Sequence, residues 1–268
     1  MLVIESDGRL GNQLFLYAAA AKVAREREFI ILVGFQELQA FFGTVSRPRT
    51  LYANLWWFET FRRIPRKLFG LYLYGEVVDP GKADNLLRRR GLVPIFLFAA
   101  GYCQNERLIS ERAALQLFHQ GQATKPKTPQ ATRRRCFVHV RRGDYLNFLG
   151  GVSLPLTWYL NHIEKLRKEN DNYDFVFFSD EPSWLEQNLP ADGDYSIFRG
   201  SAKNSFFEMA GCDAGILSAS SFSWWAAYFA HKSGAGGPYI APEYWLGWRT
   251  LSWFPIGIET NWITYDTV

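Results

Sequence analysis

The chain has 268 residues, of which 48% are apolar, so its length and composition provide for two compact domains or one large domain. They exclude a disordered or fibrous chain. The net charge of +4 favours an anionic partner, such as a nucleotide, an acidic glycan carrier or a membrane surface, but it is too small to select one of them.

The chain opens with Met1 to Glu5, a segment that has the pattern of a strand and is too short for a signal peptide. No uninterrupted apolar run reaches the roughly 18 residues of a membrane span. The 3 cysteines are odd in number and lie far apart in apolar runs, so we expect no disulfide framework. These features predict a cytoplasmic protein, and they leave open a peripheral contact with the inner face of the cell membrane.

The first predicted unit is a strand at Leu2 to Ile4, a glycine turn at Asp7 to Gly11 and a helix from Gln13 to Arg27. A strand, a glycine loop and a helix in this order can hold a phosphate at the helix amino terminus. The spacing is neither a Walker loop nor Gly-x-Gly-x-x-Gly, so the phosphate signal is weak by itself, and an ordinary strand–helix turn is the favoured alternative. A second strand is predicted at Phe29 to Val33, and residues 35–75 show no sustained period.

A polar, proline-bearing segment at residues 121–130 is the best linker in the chain. We therefore predict domains at residues 1–125 and 126–268. Beyond the linker, strands and helices alternate, which is typical of a doubly wound α/β domain. The predicted strands are 136–140, 174–179, 214–218 and 239–241, and the predicted helices are 158–169, 183–188, 205–212 and 223–231.

A cluster of polar residues follows the apolar strand 136–140 directly. In open α/β sheets, ligands bind outside the carboxyl ends of the strands, so His139, Arg141, Arg142 and Asp144 would face that crevice together. Paired arginines there indicate a phosphate, because the guanidinium fork matches phosphate oxygens. A solvated strand end is the alternative for the arginines, and a packed core position is the alternative for His139.

Polar residues also follow two other predicted strands. Asp180 comes after the apolar run 175–178, where it would face the same crevice or cap the helix that begins near Pro182. Ser221, Phe222 and Ser223 lie between a strand and a helix. Hydroxyls and amides there can hold a phosphate at the helix amino terminus or simply cap the helix.

These segments, taken together, resemble the α1,2-fucosyltransferases of glycosyltransferase family 11. The resemblance covers nearly the whole chain in order and spacing, and the combination is far more specific than any single motif. The segments that carry it are Gly8-Arg9-Leu10-Gly11-Asn12-Gln13-Leu14-Phe15, Gly101-Tyr102-Cys103-Gln104-Asn105, His139-Val140-Arg141-Arg142-Gly143-Asp144, Phe178-Ser179-Asp180-Glu181, Ser220-Ser221-Phe222-Ser223-Trp224-Trp225 and Ile240-Ala241-Pro242-Glu243-Tyr244-Trp245.

The resemblance implies a GT-B-like fold, in which two doubly wound domains face each other across a cleft. Residues 1–125 would be the acceptor side and residues 126–268 the nucleotide-sugar side. The implied reaction inverts the sugar as it moves L-fucose from GDP-β-L-fucose to a galactose-terminated oligosaccharide or lipid-linked glycan, in α1,2 linkage. Such a reaction serves surface-polysaccharide or O-antigen synthesis, with no cofactor and no nucleic-acid partner. The alternatives are a transferase for another nucleotide sugar and a non-catalytic nucleotide- or glycan-binding protein.

Roles for individual residues follow from the resemblance. Arg141 would stabilise charge on the β-phosphate, and Arg142 would support it or pair with Asp144. The loop residues Gly11, Asn12 and Gln13 would line the cleft and touch donor or acceptor. The donor-binding set is completed by His139, Asp180, Asn204, Ser221, Phe222 and Ser223.

Two positions depart from the family pattern. Asn204 stands where relatives usually carry an aspartate that binds guanine, so base selectivity depends on whether Glu208, one helical turn later, supplies the missing carboxylate. Asp213 stands where relatives often have histidine. No residue is identified as the catalytic base, and Asp144 and Asp7 are the two candidates.

A metal site is not expected. Metal-dependent transferases hold a divalent cation with an Asp-x-Asp pair, and the chain contains one such string, Asp192-Gly193-Asp194. This string is interpreted as a surface turn, because Asp-Gly-Asp is ordinary turn chemistry. Arginine would supply the positive charge instead.

Overall fold

A computed structural model of the chain describes residues 2–6, 8–45, 49–53, 75–76, 99–100, 102–122, 133–169, 172–191 and 193–268. The chain divides into two compact units, Met1–Lys125 and Pro126–Val268. None of the described helices combines the length and the apolarity that a bilayer crossing requires. That the first unit binds the acceptor and the second unit binds the donor stays a prediction.

The first unit alternates strands and helices and contains a parallel sheet in the order β1-β2-β3. A further parallel pair joins β4 to β5. The elements are β1 Leu2–Glu5, α1 Leu10–Val23, β2 Ile30–Val33, α2 Gln36–Phe42, β3 Thr50–Ala53, β4 Gly75–Glu76, β5 Ala99–Ala100 and α3 Glu111–Gln122. The last turn of α3 occupies the start of the predicted linker, because Gly121 is buried there.

Helix α1 begins three residues earlier than predicted and ends four residues earlier. The additional first turn of α1 is stabilised by the Glu37 carboxylate, which accepts a hydrogen bond from the Leu10 N–H at 2.7 Å. Its buried side chains extend from Leu10 to Ala20, whereas residues 25–27 are exposed. The helix therefore ends where its contact with the core ends.

The second unit is built on a parallel sheet with six strands among its described residues, in the order β11-β10-β9-β6-β7-β8. All four strands and four helices predicted for it are present, with shifted bounds. The elements are β6 Arg134–Val140, α4 Leu156–Glu169, β7 Tyr173–Ser179, α5 Pro182–Asn188, β8 Tyr195–Ile197, α6 Ala202–Met209, β9 Ala214–Ile216, α7 Ser221–Lys232, β10 Tyr239–Pro242 and β11 Thr264–Asp266.

Strand β6 is central, and it is buried from Cys136 to Val140 because both of its faces are covered. Val138 and Val140 pack on the side of α4, against a core that includes Trp158 and Ile163. The neighbouring strand β9 requires a glycine, since a Cβ at Gly215 would lie 2.3 Å from the Phe137 ring. These contacts hold β6 and β9 side by side.

The direction in which strands are added to this sheet reverses between β6 and β9. Beginning from β6, the chain first adds β7 and β8 on one side, then returns to place β9, β10 and β11 on the other. This is the strand order of a dinucleotide-binding doubly wound domain, whose ligands bind at the reversal. The carboxyl ends of β6 and β9 therefore mark the candidate site.

Candidate functional site

The turns that follow β6 and β9 are tied together by hydrogen bonds. The Ser218 N–H donates to the His139 carbonyl at 3.1 Å, and the Tyr145 hydroxyl donates to the Ala219 carbonyl at 3.1 Å. One turn carries the two arginines, and the other leads into α7. The two turns are therefore neighbours within the second unit.

Arg141 lies at the centre of this site, with a side chain that is 19% exposed. Its guanidinium is 2.6 Å from Asp144 Oδ1 and 3.2 Å from Asp180 Oδ2. The Tyr145 ring lies beneath it, with 5.5 Å between Arg141 Cζ and the ring centroid. Arg141 is thus a fixed, partly accessible cation at the reversal point.

Asp180 organises the arginine turn with both of its oxygens. Oδ2 pairs with Arg141, and Oδ1 accepts a hydrogen bond from the Arg142 backbone N–H at 3.0 Å. Gly143 makes this approach feasible, because a Cβ there would lie 2.5 Å from Asp180 Oδ2. The carboxylate expected to contact the nucleotide therefore holds the turn that presents Arg141.

Arg142 does not pair with Asp144, which was one of its two predicted roles. Its Nε lies 3.0 Å from Glu181 Oε2, and its guanidinium stacks 3.5 Å from the Trp184 ring centroid. Asp144 instead pairs with Arg141. The reason is direction: successive residues after a strand face opposite ways, so Arg142 reaches the start of α5. Arg142 keeps the supporting role.

The turn before α7 is capped by Ser220, whose hydroxyl accepts from the Phe222 N–H at 3.3 Å. Ser221 and Phe222 form the first turn and are partly exposed. Ser223 is fully buried, and its hydroxyl donates to the carbonyls of Ser218 and Ser220. Its predicted contact with the donor is therefore corrected to a bond within the turn.

His139 is a buried residue that packs between β6 and α7. Its Nδ1 lies 2.6 Å from Ser218 Oγ, and its ring centroid is 5.8 Å from that of Phe222. Burial, together with the nearby Arg141 cation, lowers the pKa of His139 from 6.5 to about 3. A neutral imidazole that joins the two turns fits the core alternative better than the predicted nucleotide contact.

Asn204 is exposed in the first turn of α6, where its N–H donates to the Ser201 hydroxyl at 3.2 Å. Glu208 lies one turn later and pairs with Arg135 at 3.3 Å, near the start of β6. Asp213 also contacts Arg135, by accepting from its backbone N–H at 2.8 Å. Both carboxylates thus serve the opposite end of the sheet, so Glu208 does not replace the missing aspartate.

The glycine loop of the first unit carries an internal anion. Besides accepting from Leu10, Glu37 pairs with Arg9 at 2.9 Å, so its carboxylate already occupies the amino terminus of α1. Gln13 is buried and bonds to Gly8, Gly34 and Leu38. This internal anion disfavours a phosphate at the same helix end, and the predicted contact of Gln13 with a ligand is corrected to a tie between loops.

Asn12 differs from its neighbours in the same loop. Its Oδ1 accepts from Gln104 Nε2 at 2.7 Å, and its side chain is partly exposed. Gly11 is a buried helix residue, so it supports the backbone alone. Two of the recognised segments, 8–15 and 101–105, are thus joined within the first unit through their amide side chains.

The candidates for the catalytic base and for a metal site lie partly outside the described residues. Asp144 is 62% exposed and paired with Arg141, whereas Asp7 and Asp192 lie outside the described residues. Asp194 is an exposed residue, 3.6 Å from Arg133. Within the described ranges, no three His, Cys, Asp or Glu side chains are grouped so that they could hold a metal ion.

Four residues were not singled out from the sequence: Tyr145, Trp184 and Ser218 in this site, and Glu37 at the glycine loop of the first unit. Tyr145 and Ser218 adjoin the recognised segments, so their position after a strand was an available signal. Trp184 and Glu37 act through partners 42 and 27 positions away, Arg142 and Leu10. Only the folded chain brings such pairs together.

Several known proteins are similar to this chain in sequence. The chain is 28% identical over 126 residues to an Escherichia coli α-1,2-colitosyltransferase, covering 44% of this chain and 43% of that protein. It is 28% identical over 100 residues to the Escherichia coli O-antigen biosynthesis glycosyltransferase WbnK, covering 34% and 33%. It is 25% identical over 248 residues to the Rattus norvegicus galactoside α-(1,2)-fucosyltransferase 2, covering 86% and 67%. The chain thus matches less than half the length of the two bacterial relatives.

Among solved structures, the Bradyrhizobium fucosyltransferase NodZ is similar, with a TM-score of 0.52 and 13% identity over 84% of this chain and 91% of that one. This likeness confirms the predicted GT-B-like α/β fold class. A family model, glycosyl transferase family 11, matches residues 114–252, which is just over half of the sequence. The chain belongs to glycosyl transferase family 11.

Proposed function

We propose that the chain is an inverting α1,2-fucosyltransferase that moves L-fucose from GDP-β-L-fucose to a galactose-terminated oligosaccharide or lipid-linked glycan. The observation that carries this proposal is the position of Arg141 at the strand-order reversal, on a turn that is hydrogen-bonded to the turn before α7, in a chain of family 11. Relatives named as α-1,2 transferases support the linkage.

The chemistry requires stabilisation of the charge that grows on the leaving diphosphate. The bond between the sugar C1 and the β-phosphate oxygen breaks while the acceptor hydroxyl oxygen bonds to C1 from the opposite face. Arg141 supplies positive charge to the leaving oxygen, and the first turn of α7 adds oriented N–H groups. This arrangement gives the reaction its charge stabilisation without a metal, so we propose that no cofactor takes part.

The proton of the acceptor hydroxyl requires a base, and Asp144 is the described candidate. Its carboxylate is exposed and lies on the arginine that would bind the phosphate. When the diphosphate takes over Arg141, Asp144 is released to accept the proton. This order of events couples donor binding to the availability of the base.

A second candidate function is the transfer of another sugar in α1,2 linkage. It is favoured by the relative named α-1,2-colitosyltransferase and by the asparagine at position 204, with Glu208 committed to Arg135. Asn204→Asp would restore a charged acceptor for guanine, and an aspartate three residues after the Ser201 cap also stabilises α6. Titration of both forms with GDP, UDP and ADP separates a guanine contact from a stability effect, because only the former is selective for GDP.

The decisive experiment measures GDP release from GDP-fucose with and without a galactoside, in the presence and absence of a chelator. Acceptor-dependent release that survives chelation is expected. Binding of GDP without turnover on any acceptor would indicate a binding protein instead. Loss of activity with EDTA and its recovery with Mn²⁺ would contradict the metal-free mechanism.

The biological setting that we propose is surface-polysaccharide or O-antigen assembly, at the inner face of the cell membrane. It is supported by the similarity to the O-antigen glycosyltransferase WbnK. The positive net charge of +4 favours an anionic surface. Binding of the chain to anionic vesicles, compared with neutral ones, tests this location.

A further inference from the structure

Tyr145 lies between the two turns that form the candidate site. Its ring is beneath the Arg141 guanidinium, 5.5 Å from Cζ to the centroid. Its hydroxyl donates to the Ala219 carbonyl at 3.1 Å, on the turn that leads into α7. A single side chain therefore contacts the arginine turn at one end and the α7 turn at the other.

The peptide bond that Tyr145 holds determines where α7 begins. The carbonyl of Ala219 accepts from Tyr145, and the N–H on the same peptide, that of Ser220, donates to the Ser218 carbonyl at 2.7 Å. Ser220 is the residue that caps α7. With both polar groups of this peptide bonded, the orientation of the first turn of α7 is fixed.

The backbone of Tyr145 is held as well. Its carbonyl accepts from the N–H groups of Val152 and Ser153, at 2.8 and 3.3 Å, while the Ser153 hydroxyl donates to the Arg141 carbonyl at 3.0 Å. Burial raises the pKa of Tyr145 to about 12, so its hydroxyl keeps its proton and remains a donor at ordinary pH. The residue is a rigid spacer between fixed points.

We infer that Tyr145 is a positioning residue that sets the distance between the Arg141 guanidinium and the first turn of α7, so that both act on one diphosphate. The inference rests on the proposed function. Charge on the β-phosphate grows in the transition state, so a misplaced Arg141 weakens the transition state more than the bound donor. The consequence is a loss in kcat with little change in KM.

The chain offers a matched control in Tyr159. This tyrosine of the second unit is fully buried, whereas Tyr145 is partly buried, and among the described residues the Tyr159 hydroxyl has no hydrogen-bond partner. Tyr145→Phe and Tyr159→Phe therefore remove the same hydroxyl oxygen from two tyrosines of the second unit. Only the first removes a tie between the two turns.

The experiment measures kcat and KM for GDP-fucose in both variants and the melting temperature of each. Tyr145→Phe is expected to lower kcat about 10-fold with KM changed less than about two-fold, whereas Tyr159→Phe stays near the unaltered protein. In an Arg141→Lys background, Tyr145→Phe should have little further effect, because the two residues act as a unit. A purely structural role would give equal losses in both backgrounds.

The outcomes separate this role from the proposed function. If the unaltered protein turns over GDP-fucose and Tyr145→Phe keeps its kcat, the positioning role is overturned alone. Equal losses in the two tyrosine variants overturn it too. Absence of turnover in the unaltered protein overturns the proposed function and this role with it. Should Tyr145→Phe not fold, Tyr145→His, which keeps a ring with a polar edge, is measured by the same criteria.

Discussion

The guanidinium of Arg141 is shared by two carboxylates of unequal exposure. The Asp180 side chain is 24% exposed and also binds the backbone of the turn, whereas that of Asp144 is 62% exposed. An exposed ion pair contributes about 0.2–1 kcal/mol to stability. The attraction between Arg141 and a doubly charged phosphate is larger. Asp144 is thus a replaceable partner of Arg141, and Asp180 is a permanent one.

Asp144→Asn is therefore expected to strengthen GDP binding while it lowers kcat. Removing the competing anion returns about 0.2–1 kcal/mol to the diphosphate, which is up to about five-fold in Kd. The loss of the candidate base acts on turnover alone. Calorimetric titration with GDP and a steady-state assay measure the two effects separately.

Asp180→Asn is the control for this prediction, because it disorders the turn that presents Arg141 and should weaken GDP binding. If both variants weaken GDP equally, Asp144 contributes to the phosphate site directly. If neither variant changes the affinity, the diphosphate binds elsewhere.

Arg141→Lys is expected to lower kcat about 10²–10³-fold, by analogy with the loss of one oxyanion donor, about 2.7–4 kcal/mol. Lysine keeps the charge but loses the planar fork that binds phosphate through two hydrogen bonds. Donor affinity should fall much less than turnover. Arg133→Lys makes the same change at the other end of β6, beside Asp174, and should be close to neutral. A near-normal kcat in Arg141→Lys would refute the assignment.

At the scale of the elements, two strand–turn–helix units look alike in the sequence and differ in the structure. Helix α1 follows a glycine turn, and its amino terminus is occupied by the Glu37 carboxylate. Helix α7 follows a serine turn, and its amino terminus lies beside Arg141 within the second unit. Because an internal anion already lies at the amino terminus of α1, and Arg141 is a partly accessible cation in the unit that contains α7, we expect the phosphate at α7 rather than at α1.

Glu37→Gln is expected to lower the free energy of unfolding by about 0.3–1 kcal/mol and to leave GDP affinity unchanged. Glutamine can still accept from Leu10, but the charge that favours the helix dipole is lost. Denaturant unfolding and calorimetry measure the two quantities. Glu26→Gln, an exposed glutamate outside the helices, is the matched control. A decrease in GDP affinity would return the α1 loop to the donor site.

Much of the second unit could be predicted because its central strands are continuous apolar runs, as β6 and β7 show, and buried parallel strands have that pattern. β11 escaped prediction, since Thr264–Asp266 is a three-residue edge strand with two polar positions. Residue types at strand ends indicated the site, but the partners did not follow from type. Which arginine pairs with Asp144, and whether Glu208 lies near the guanine, depends on the directions of the side chains. The spacing of residues in the sequence does not determine these directions.

For the whole molecule, the same contacts that build the second unit also position its chemistry. His139 joins β6 to the α7 turn through Ser218, and Tyr145 joins them through Ala219. Both bonds cross the strand-order reversal between β6 and β9. A change that loosens this junction is therefore expected to reduce both stability and turnover, which makes the protonation of His139 a test of the whole arrangement.

The free energy of unfolding should fall as pH decreases from about 6.5 towards 3. His139 has a pKa of about 3 in the folded chain and 6.5 as an ordinary histidine, so between these values the unfolded chain binds a proton that the native chain does not. In this range the free energy of unfolding falls by up to about 1.4 kcal/mol for each pH unit of acidification. Above pH 6.5 His139 causes no such loss. Hydrogen bonding to Lys165 holds the pKa of Asp266 below 3.8, so that carboxylate adds a loss of the same sign only as the pH falls to about 3.8 and below. His139→Gln should flatten the slope between pH 6.5 and about 4 in denaturant unfolding, whereas His119→Gln, at an exposed position of α3, should leave it unchanged. Equal slopes in the two variants would mean that the imidazole of His139 is accessible to protons in the native state, contrary to its place between β6 and α7.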